Sequence, residues 1–295
     1  MTKPAIGFIG LGLMGAAMVE RLQAQGYAMN VVANRSRPNV DAAVARGAVE
    51  VATARDVATA SDIVMFCMDT SASVEARMRG KDGVLAGLRE GAVVIDFGTS
   101  LPASTRKLGD ETGAAGGAYL DAPLGRTPAH AVDGLLNIMG SGDKAAFDKV
   151  KPVLDDLGEN VFHLGALGSG HTIKLLNNAF GMTVANAMSE TFAMADKMGV
   201  DRKAVYDVMA AGPLRSGMMD FVKGYAVDGD PAQLAFAVKN AHKDVSYYAQ
   251  MARDAGTESV MAQGALAALG EAVEAGRGDM MVSEQVDFFV NKLGA

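Results

Sequence analysis

The sequence predicts an α/β domain built on a parallel sheet, followed by a domain made only of helices. Over roughly the first half of the chain, short apolar runs alternate with helical patterns, which is typical of a sheet with helical crossovers. The first apolar run, residues 5–9, leads straight into a glycine-rich turn and a helix. From about residue 168 the apolar spacing is helical throughout. We therefore divide the chain into an α/β domain over residues 1–165 and a helical domain over residues 166–295.

Each predicted element rests on a local pattern. A strand is predicted where a short apolar run is bounded by turn residues, and a helix where apolar side chains recur every three or four positions. After the strand at 5–9, strands are predicted at 27–33, 63–68, 92–97, 119–122, 135–139 and 160–164, with helices at 39–46, 73–78, 103–111 and 144–157. A long helix over 171–198, apolar on nearly every face, joins the two domains. The remaining helices are predicted at 202–211, 218–227, 234–255, 260–275 and 283–292.

The composition is that of an ordinary globular protein, with 49% hydrophobic and 21% charged residues. A net charge of −7 argues against a nucleic-acid partner or an anionic membrane surface. The fold begins within the first few residues, so we expect no signal peptide, and no apolar run reaches membrane-spanning length. Cys67 is the single cysteine, so no disulfide can form within the chain. These features predict a reduced, cytoplasmic enzyme.

The turn after the first strand carries the G-x-G-x-x-G pattern of dinucleotide-binding sites, formed by Gly10, Gly12 and Gly15. Gly10 permits the tight turn, Gly12 lets a pyrophosphate approach the backbone, and Gly15 allows the helix to pack closely on the strand. The helix that starts near Leu13 and Met14 offers its first N–H groups to the phosphates. Strand, turn and helix together predict a Rossmann domain that binds a dinucleotide.

The end of the second strand indicates which dinucleotide binds. NAD-binding versions of this domain place an acidic residue there, which holds the ribose 2′-hydroxyl. This chain has Asn34, Arg35 and Ser36 instead, with Arg37 beyond them. The Arg35 guanidinium matches the geometry of a 2′-phosphate, whereas Arg37 is the better candidate for a solvated loop charge. We therefore predict a preference for NADP(H), with NAD(H) as the alternative.

The candidate catalytic residue is Lys174, near the start of the long helix. A lysine on an otherwise apolar helix is unusual unless its ammonium group has a use. Reduction of a carbonyl group needs a proton donor for the oxygen, and Lys174 can supply that proton. Asn178, one turn later on the same face, can donate a hydrogen bond to the developing alkoxide or hold the lysine. The alternative is a structural lysine whose stem packs along apolar surface.

Four motifs occur together along the chain: the glycine turn at 7–15, Asp121-Ala122-Pro123, the helix with Lys174 and Asn178, and His242-Lys243-Asp244. In this combination the chain resembles the β-hydroxyacid dehydrogenase family, which includes 3-hydroxyisobutyrate dehydrogenases and tartronate and succinic semialdehyde reductases. The resemblance covers essentially the whole length. It implies a Rossmann domain, a helical domain, a homodimer or homotetramer, and Lys174 as general acid and base.

The resemblance also implies contacts around the cofactor. Thr99 and Ser100 correspond to a pair beside the nicotinamide, where Ser100 also reaches the substrate. Met68 and Val74 correspond to positions on the adenosine side. Lys243 corresponds to a position near the nicotinamide ribose or the mouth of the active site.

The loop after Pro123 departs from the family pattern, in which a Ser-Gly-Gly segment holds the substrate carboxylate. Here Gly125, Arg126 and Thr127 occupy those positions. An arginine adds a fixed positive charge that suits a sulfonate or a second carboxylate, and the loop is similar to that of the 3-sulfolactaldehyde reductases of this family. Thr127 adds a hydroxyl donor, and Asn177 an amide. The alternative is that Arg126 turns outward into a surface salt bridge while the Gly125 backbone alone binds a carboxylate.

The predicted function is therefore the reversible, NADPH-dependent reduction of a short anionic aldehyde such as 3-sulfolactaldehyde. One alternative is a carboxylate semialdehyde reductase or 3-hydroxyacid dehydrogenase. An alternative of another class is a non-catalytic nucleotide-binding module on the same fold. The four histidines show no ligand spacing with Cys67 or with a pair of carboxylates, so we predict no metal site.

Overall fold

The computed structural model describes residues 3–34 and 37–294. The chain divides into two compact units, Met1–Lys174 and Leu175–Ala295. The first unit is α/β and the second is helical, which confirms the predicted fold class. The helix Ser169–Lys197 runs across the division and is the predicted joining helix. The predicted domain boundary after residue 165 lies nine residues before the division after Lys174 and stays a prediction.

The first unit is organised around one sheet. Its strands, in the described part of the chain, are β1 (Ile6–Ile9), β2 (Met29–Val32), β3 (Val49–Val51), β4 (Ile63–Phe66), β5 (Val93–Asp96), β6 (Ala118–Asp121), β7 (Leu124–Gly125), β8 (Leu136–Gly142) and β9 (Gly158–His163). Their order is β3-β2-β1-β4-β5-β6-β8-β7, with β9 paired to β8. Strands β1 to β6 are parallel neighbours. The carboxyl ends of β1, β2 and β4 therefore lie side by side.

Helices connect these strands and build the whole second unit. They are α1 (Leu13–Ala24), α2 (Arg37–Ala45), α3 (Ala54–Thr59), α4 (Ser71–Met78), α5 (Pro102–Ala114), α6 (Pro128–Asp133), α7 (Lys144–Leu157), α8 (Ser169–Lys197), α9 (Arg202–Ala210), α10 (Gly217–Ala226), α11 (Val238–Asp254), α12 (Ala262–Glu274) and α13 (Gln285–Leu293). No helix in the described ranges is long and apolar enough to cross a membrane.

Both faces of the central sheet are packed against apolar side chains. Successive side chains of a strand point to opposite faces, so neighbours on one strand enter different clusters. On β5, Val93 and Ile95 belong to one buried cluster, whereas Val94 belongs to another. Strands buried on both faces read as continuous apolar runs, which is why β4 and β5 were predictable from sequence. None of the three residues of the short β3 is buried, and its Glu50 interrupts the apolar signal, so the sequence pattern missed it.

The parallel sheet predicted throughout is wrong beyond β6. Strand β8 runs antiparallel to both β6 and β7, and only its pairing with β9 is parallel. The reason is the connection between β7 and β8, residues 126–135, which contains the short α6 and the left-handed Gly134. A parallel crossover needs a dozen or more residues, so this shorter segment returns the chain in the opposite direction.

The second unit has its own apolar core. Met182 and Phe192 of α8 pack in it with Val222 of α10 and Leu269 of α12. No strand forms among the described residues of this unit, in agreement with the prediction, although an isolated bridge joins Ala237 and Met281.

Candidate active site

The glycine turn has the geometry that its predicted function requires. Gly10 has a φ of +102°, and a Cβ there would lie 2.3 Å from the carbonyl oxygen of Cys67. A Cβ on Gly15 would lie 2.1 Å from the carbonyl oxygen of Gly10, so α1 packs closely on the turn. A Cβ on Gly12 would meet nothing within 4 Å. The space above Gly12 is therefore open to a ligand, at the N-terminus of a helix that favours anions.

A cleft of about 220 Å³ opens at this turn. It is bounded by the ends of the neighbouring strands β1, β2 and β4, the place where parallel sheets of this type bind ligands. Of the predicted cofactor residues, the cleft includes Gly10, Gly12, Asn34 and Met68, but Val74 is only 1% exposed and packs in the core. Leu13 is 83% exposed beside the turn. The other lining residues, which the sequence did not indicate, are Leu11, Val32, Val40, Cys67, Asp69 and Ser73.

The end of β2 is only partly described, since the predicted residues Arg35 and Ser36 lie outside the described residues. Arg37 pairs with Glu50 through two hydrogen bonds of 2.6 and 2.8 Å, and this pairing lowers the pKa of the Glu50 carboxyl. Another guanidinium is present: Arg77 Nη2 of α4 donates to Asn34 Oδ1 over 3.1 Å. Sequence reasoning missed Arg77 because it is distant in sequence from the end of β2.

The start of α8 is fixed by a buried carboxylate. Asp121, at the end of β6, accepts hydrogen bonds from Gly168 N at 2.8 Å and from His171 N at 2.7 Å. Gly170 N donates to Ser141 Oγ over 2.9 Å, and that hydroxyl donates to Asp121. An acceptor at a helix N-terminus satisfies amides that have no partner within the helix and interacts favourably with the helix dipole. The backbone that carries the half-buried Lys174 is thereby held on the sheet.

The loop after β5 is organised by a second buried carboxylate. Asp96 Oδ1 accepts a hydrogen bond from Gly98 N, and Asp96 Oδ2 accepts one from Ser100 Oγ, both at 2.8 Å. Ser100 is 3% exposed, so this hydroxyl is committed to Asp96 in the structure. Thr99, its predicted partner beside the nicotinamide, is more exposed. The contact of Ser100 with substrate stays a prediction.

The predicted substrate loop shows a different arrangement from the anion pocket we expected. Arg126 Nη1 donates to the carbonyl oxygen of Leu135 at 2.6 Å and lies 2.5 Å from Glu159 Oε2. Thr127 Oγ1 is hydrogen-bonded to His130 Nδ1 at 2.8 Å. Arg126 is therefore paired with Glu159 at the surface, as in the first part of the alternative, and its contact with a substrate stays a prediction. Arg126 also has a φ of +78°, in the left-handed region that non-glycine residues rarely adopt.

In the helical unit, Asn178 is anchored by a partner that sequence reasoning had not assigned to it. Its Nδ2 donates to Asp244 Oδ2 at 2.6 Å, and its Oδ1 accepts from Asn177 Nδ2 at 3.1 Å. Asp244 is 3% exposed, and its other oxygen lies 2.9 Å from Lys243 Nζ. The signal that could have found it is its place beside Lys243 in the His-Lys-Asp motif.

Cys67 is not suited to act as a nucleophile. Burial, with a smaller effect of the Asp96 charge, raises the pKa of its thiol to about 12, and the thiolate is the reactive form. Among the described residues, no group of His, Cys, Asp and Glu could hold a metal ion.

Comparison with known proteins relates both units to nicotinamide-dependent enzymes. Residues 5–165 match the family of the NAD-binding domain of 6-phosphogluconate dehydrogenase. Residues 168–289 match the family described as the NAD-binding domain of NADP-dependent 3-hydroxyisobutyrate dehydrogenase.

Individual relatives extend this finding over most of the chain. The 2-hydroxy-3-oxopropionate reductase of Escherichia coli is 32% identical over 248 residues, 84% of each chain. The NAD-dependent L-serine dehydrogenase of Pseudomonas aeruginosa is 35% identical over 204 residues, 69% of this chain and 68% of the relative. Among solved structures, Psf3 in complex with NADP+ and 2-OPP has a TM-score of 0.81 and 25% identity, and the match covers 98% of this chain and 100% of that one.

The glycine turn, the fold and these relatives define an NAD(P)-dependent oxidoreductase that acts on alcohol and aldehyde groups, which excludes the non-catalytic nucleotide-binding module. The chain belongs to the 3-hydroxyisobutyrate dehydrogenase-like family of β-hydroxyacid dehydrogenases.

Proposed function

We propose that this protein interconverts a short aldehyde and its alcohol, with a carboxylate one carbon away from the reacting carbon, and that NADP(H) is its preferred cofactor. The observation that carries the proposal is the placement of Lys174 near the start of α8. That helix is held by Asp121, at the carboxyl edge of the sheet whose β1 end forms the nucleotide turn. A bound nicotinamide supplies the hydride, and the protein must supply the proton.

The residues divide the remaining tasks. Lys174 donates a proton from Nζ to the carbonyl oxygen in reduction and removes it in oxidation. Asn178 supports the developing charge on that oxygen through its carboxamide. We assign binding of the carboxylate to Gly125, Thr127 and Asn177, and a further contact with the substrate to Ser100. Thr99 and Lys243 contact the nicotinamide half of the cofactor.

The substrate class is supported by the relatives. In 2-hydroxy-3-oxopropionate and in L-serine, a single carbon separates the oxidisable or reducible carbon from the carboxylate. 3-Sulfolactaldehyde carries the same single negative charge, but on a bulkier group placed one atom further from the aldehyde carbon. Because Arg126, the residue that suggested a sulfonate, is paired with Glu159, the named substrates of the relatives favour a carboxylate. We retain 3-sulfolactaldehyde as the second candidate, since Arg126 motivated it.

The preference for NADP(H) is supported by one arginine from the sequence and one from the structure. Arg35 follows β2 in sequence, and Arg77 reaches Asn34 at the end of the same strand. Guanidinium groups match a 2′-phosphate, and no carboxylate occupies the 34–36 segment. One relative is NAD-dependent by name and one solved structure contains NADP+. The cofactor preference therefore has to be argued from the residues of this chain.

A panel of aldehydes tests the proposal, with oxidation of NADPH and NADH followed by absorbance. The panel contains tartronate, methylmalonate and succinic semialdehydes and 3-sulfolactaldehyde. We expect the highest kcat/KM with a three-carbon carboxylate aldehyde and NADPH. A higher kcat/KM with 3-sulfolactaldehyde would make the sulfonate aldehyde the substrate in place of the carboxylate aldehyde. A higher kcat/KM with NADH would refute the proposed preference for NADPH. Inactivity on all four aldehydes would refute the proposed reductase activity. The predicted homodimer or homotetramer, and the cytoplasmic location, stay predictions; mass measurement in solution tests the oligomer.

A further inference from the structure

A buried imidazole lies at the start of α8, three residues before Lys174. His171 is 0% exposed, and its Nδ1 lies 2.7 Å from Thr105 Oγ1 of α5. Its Nε2 is buried without a hydrogen-bond partner in the described part of the chain, and it lies 3.8 Å from Asp96 Oδ2. A buried polar ring in such a place requires an explanation, because a buried donor or acceptor without a partner is costly.

The imidazole stands between the two carboxylates that organise the candidate site. Asp96 holds the loop that carries Ser100, and Asp121 holds the first turn of α8. Both carboxylates are at most 1% exposed. His171 Nδ1 lies 3.8 Å from Asp121 Oδ2, so the ring faces both acids. The Thr105 hydroxyl has a single proton, so it either donates that proton to His171 Nδ1 or donates it to Leu101 O and accepts from Nδ1.

The surroundings give the backbone little freedom to adjust. A Cβ on Gly170, the residue before His171, would lie 2.1 Å from the carbonyl oxygen of Met139 on β8. The helix start is thus pressed against the sheet on one side, and the imidazole fixes it against α5 on the other. Because helical residues three positions apart are neighbours, a shift of His171 would move Lys174 with it.

We propose that the Thr105–His171 hydrogen bond is a positioning contact that sets the place of Lys174 relative to the Ser100 loop. This inference rests on the proposed role of Lys174 as proton donor. Neither Thr105 nor His171 is a catalytic residue, since each acts through the helix that carries the lysine. A misplacement of about 1 Å at a reacting group costs on the order of 100-fold in rate, so a small shift is measurable.

Two threonines on α5 provide a matched pair of variants. Thr105 and Thr112 are both buried, at 1% and 0% exposure, and each hydroxyl lies within hydrogen-bond distance of the helix carbonyl four residues earlier. Thr105 additionally reaches the imidazole. Thr105→Val and Thr112→Val each replace a buried hydroxyl by a methyl group, and Thr105→Ser keeps the hydroxyl.

We expect Thr105→Val to lower kcat at least tenfold, with the Kd of NADPH, measured by calorimetry, within twofold of wild type. Thr112→Val should retain kcat, and Thr105→Ser should restore most of it. Equal kcat values for the two valine variants would overturn the inference, as would a serine variant as slow as Thr105→Val. Hydrogen exchange over residues 166–176 is a readout that needs no substrate. Faster exchange there in Thr105→Val alone supports the contact, and no difference from Thr112→Val overturns it.

The two proposals fail differently. Inactivity of the wild-type protein on the aldehyde panel counts against the proposed function, whatever the exchange data show. Normal activity in the wild type, with no specific effect at Thr105, counts against the positioning contact alone.

Discussion

Asn178 donates a hydrogen bond from Nδ2 to Asp244 Oδ2 over 2.6 Å, and both side chains are buried in the helical unit. The bond joins α8 to α11 and determines which way the carboxamide faces, because a carboxylate accepts hydrogen bonds and donates none. Lys243 lies 2.9 Å from the other carboxylate oxygen and balances the charge. Asp244 is therefore a positioning residue for Asn178.

Replacement of Asp244 tests this role. In Asp244→Asn the volume is kept, but the charged acceptor for Asn178 is lost, and hydrogen bonds to charged groups contribute about 1.5–3 kcal/mol. We expect the free energy of unfolding in urea to fall by about 2 kcal/mol and kcat to fall about tenfold. Asp254→Asn, an exposed position on the same helix, is the control. A variant with wild-type kcat would show that Asn178 needs no fixed orientation.

Lys174→Ala removes the proposed proton donor. General acid catalysis contributes about 100- to 10,000-fold, so kcat should fall within that range while the Kd of NADPH changes less than twofold. Lys197→Ala removes an exposed lysine near the end of the same helix and serves as the control. Near-normal turnover in Lys174→Ala would assign the lysine a structural role instead.

The order of elements was largely predictable because local patterns determine it. The boundaries of α7, Lys144–Leu157, agree with the predicted 144–157 because Asp143 caps the helix start through Ala146 N. The sequence missed α6 and β7, since elements of six and two residues contain too few apolar repeats to reveal a period. Strand direction beyond β6 depends on a connection length, which apolar runs alone do not show.

Site residues were predictable where the local sequence around a single residue indicates its role. They were less predictable where the role depends on a hydrogen-bond partner that is distant in sequence. Gly10, Gly12 and Lys174 stand in recognisable local contexts. The partners Asp244 and Arg77 reach Asn178 and Asn34 across 66 and 43 positions, so only the folded chain brings them together. Spacing along one helix or turn carries no information about such contacts.

Arg77 is expected to contribute to the choice of cofactor. Its guanidinium lies against Asn34 at the edge of the cleft, where a 2′-phosphate would add charge-assisted hydrogen bonds. Because the position is partly solvated, we expect Arg77→Gln to raise the Kd of 2′,5′-ADP about threefold and to leave that of 5′-AMP unchanged. Arg55→Gln, an exposed arginine on α3, is the control. An equal loss for both nucleotides would show that Arg77 does not recognise the 2′-phosphate.

Cys67 should resist alkylation in the folded protein. With its pKa raised to about 12, the thiol is mostly neutral at pH 8, and the thiolate is the reactive form. The rate of reaction with iodoacetamide should rise about tenfold per pH unit, because the thiolate fraction does so below the pKa. Mass spectrometry of native and urea-unfolded protein makes the comparison. Equal rates in the two states at pH 8 would contradict the raised pKa of this thiol.

Arg126→Gln decides between the two interpretations of the substrate loop. In the structure the guanidinium is paired with Glu159 and donates to the carbonyl oxygen of Leu135. Its loss should therefore remove these surface contacts and leave substrate binding largely unchanged. We expect kcat/KM for tartronate semialdehyde and for 3-sulfolactaldehyde to change by the same factor, no more than about threefold, since exposed ion pairs contribute little. Arg106→Gln, another exposed arginine of the first unit, controls for the change in net charge. A loss confined to the sulfonate would mean that Arg126 leaves Glu159 when substrate binds, and it would restore 3-sulfolactaldehyde as the preferred substrate.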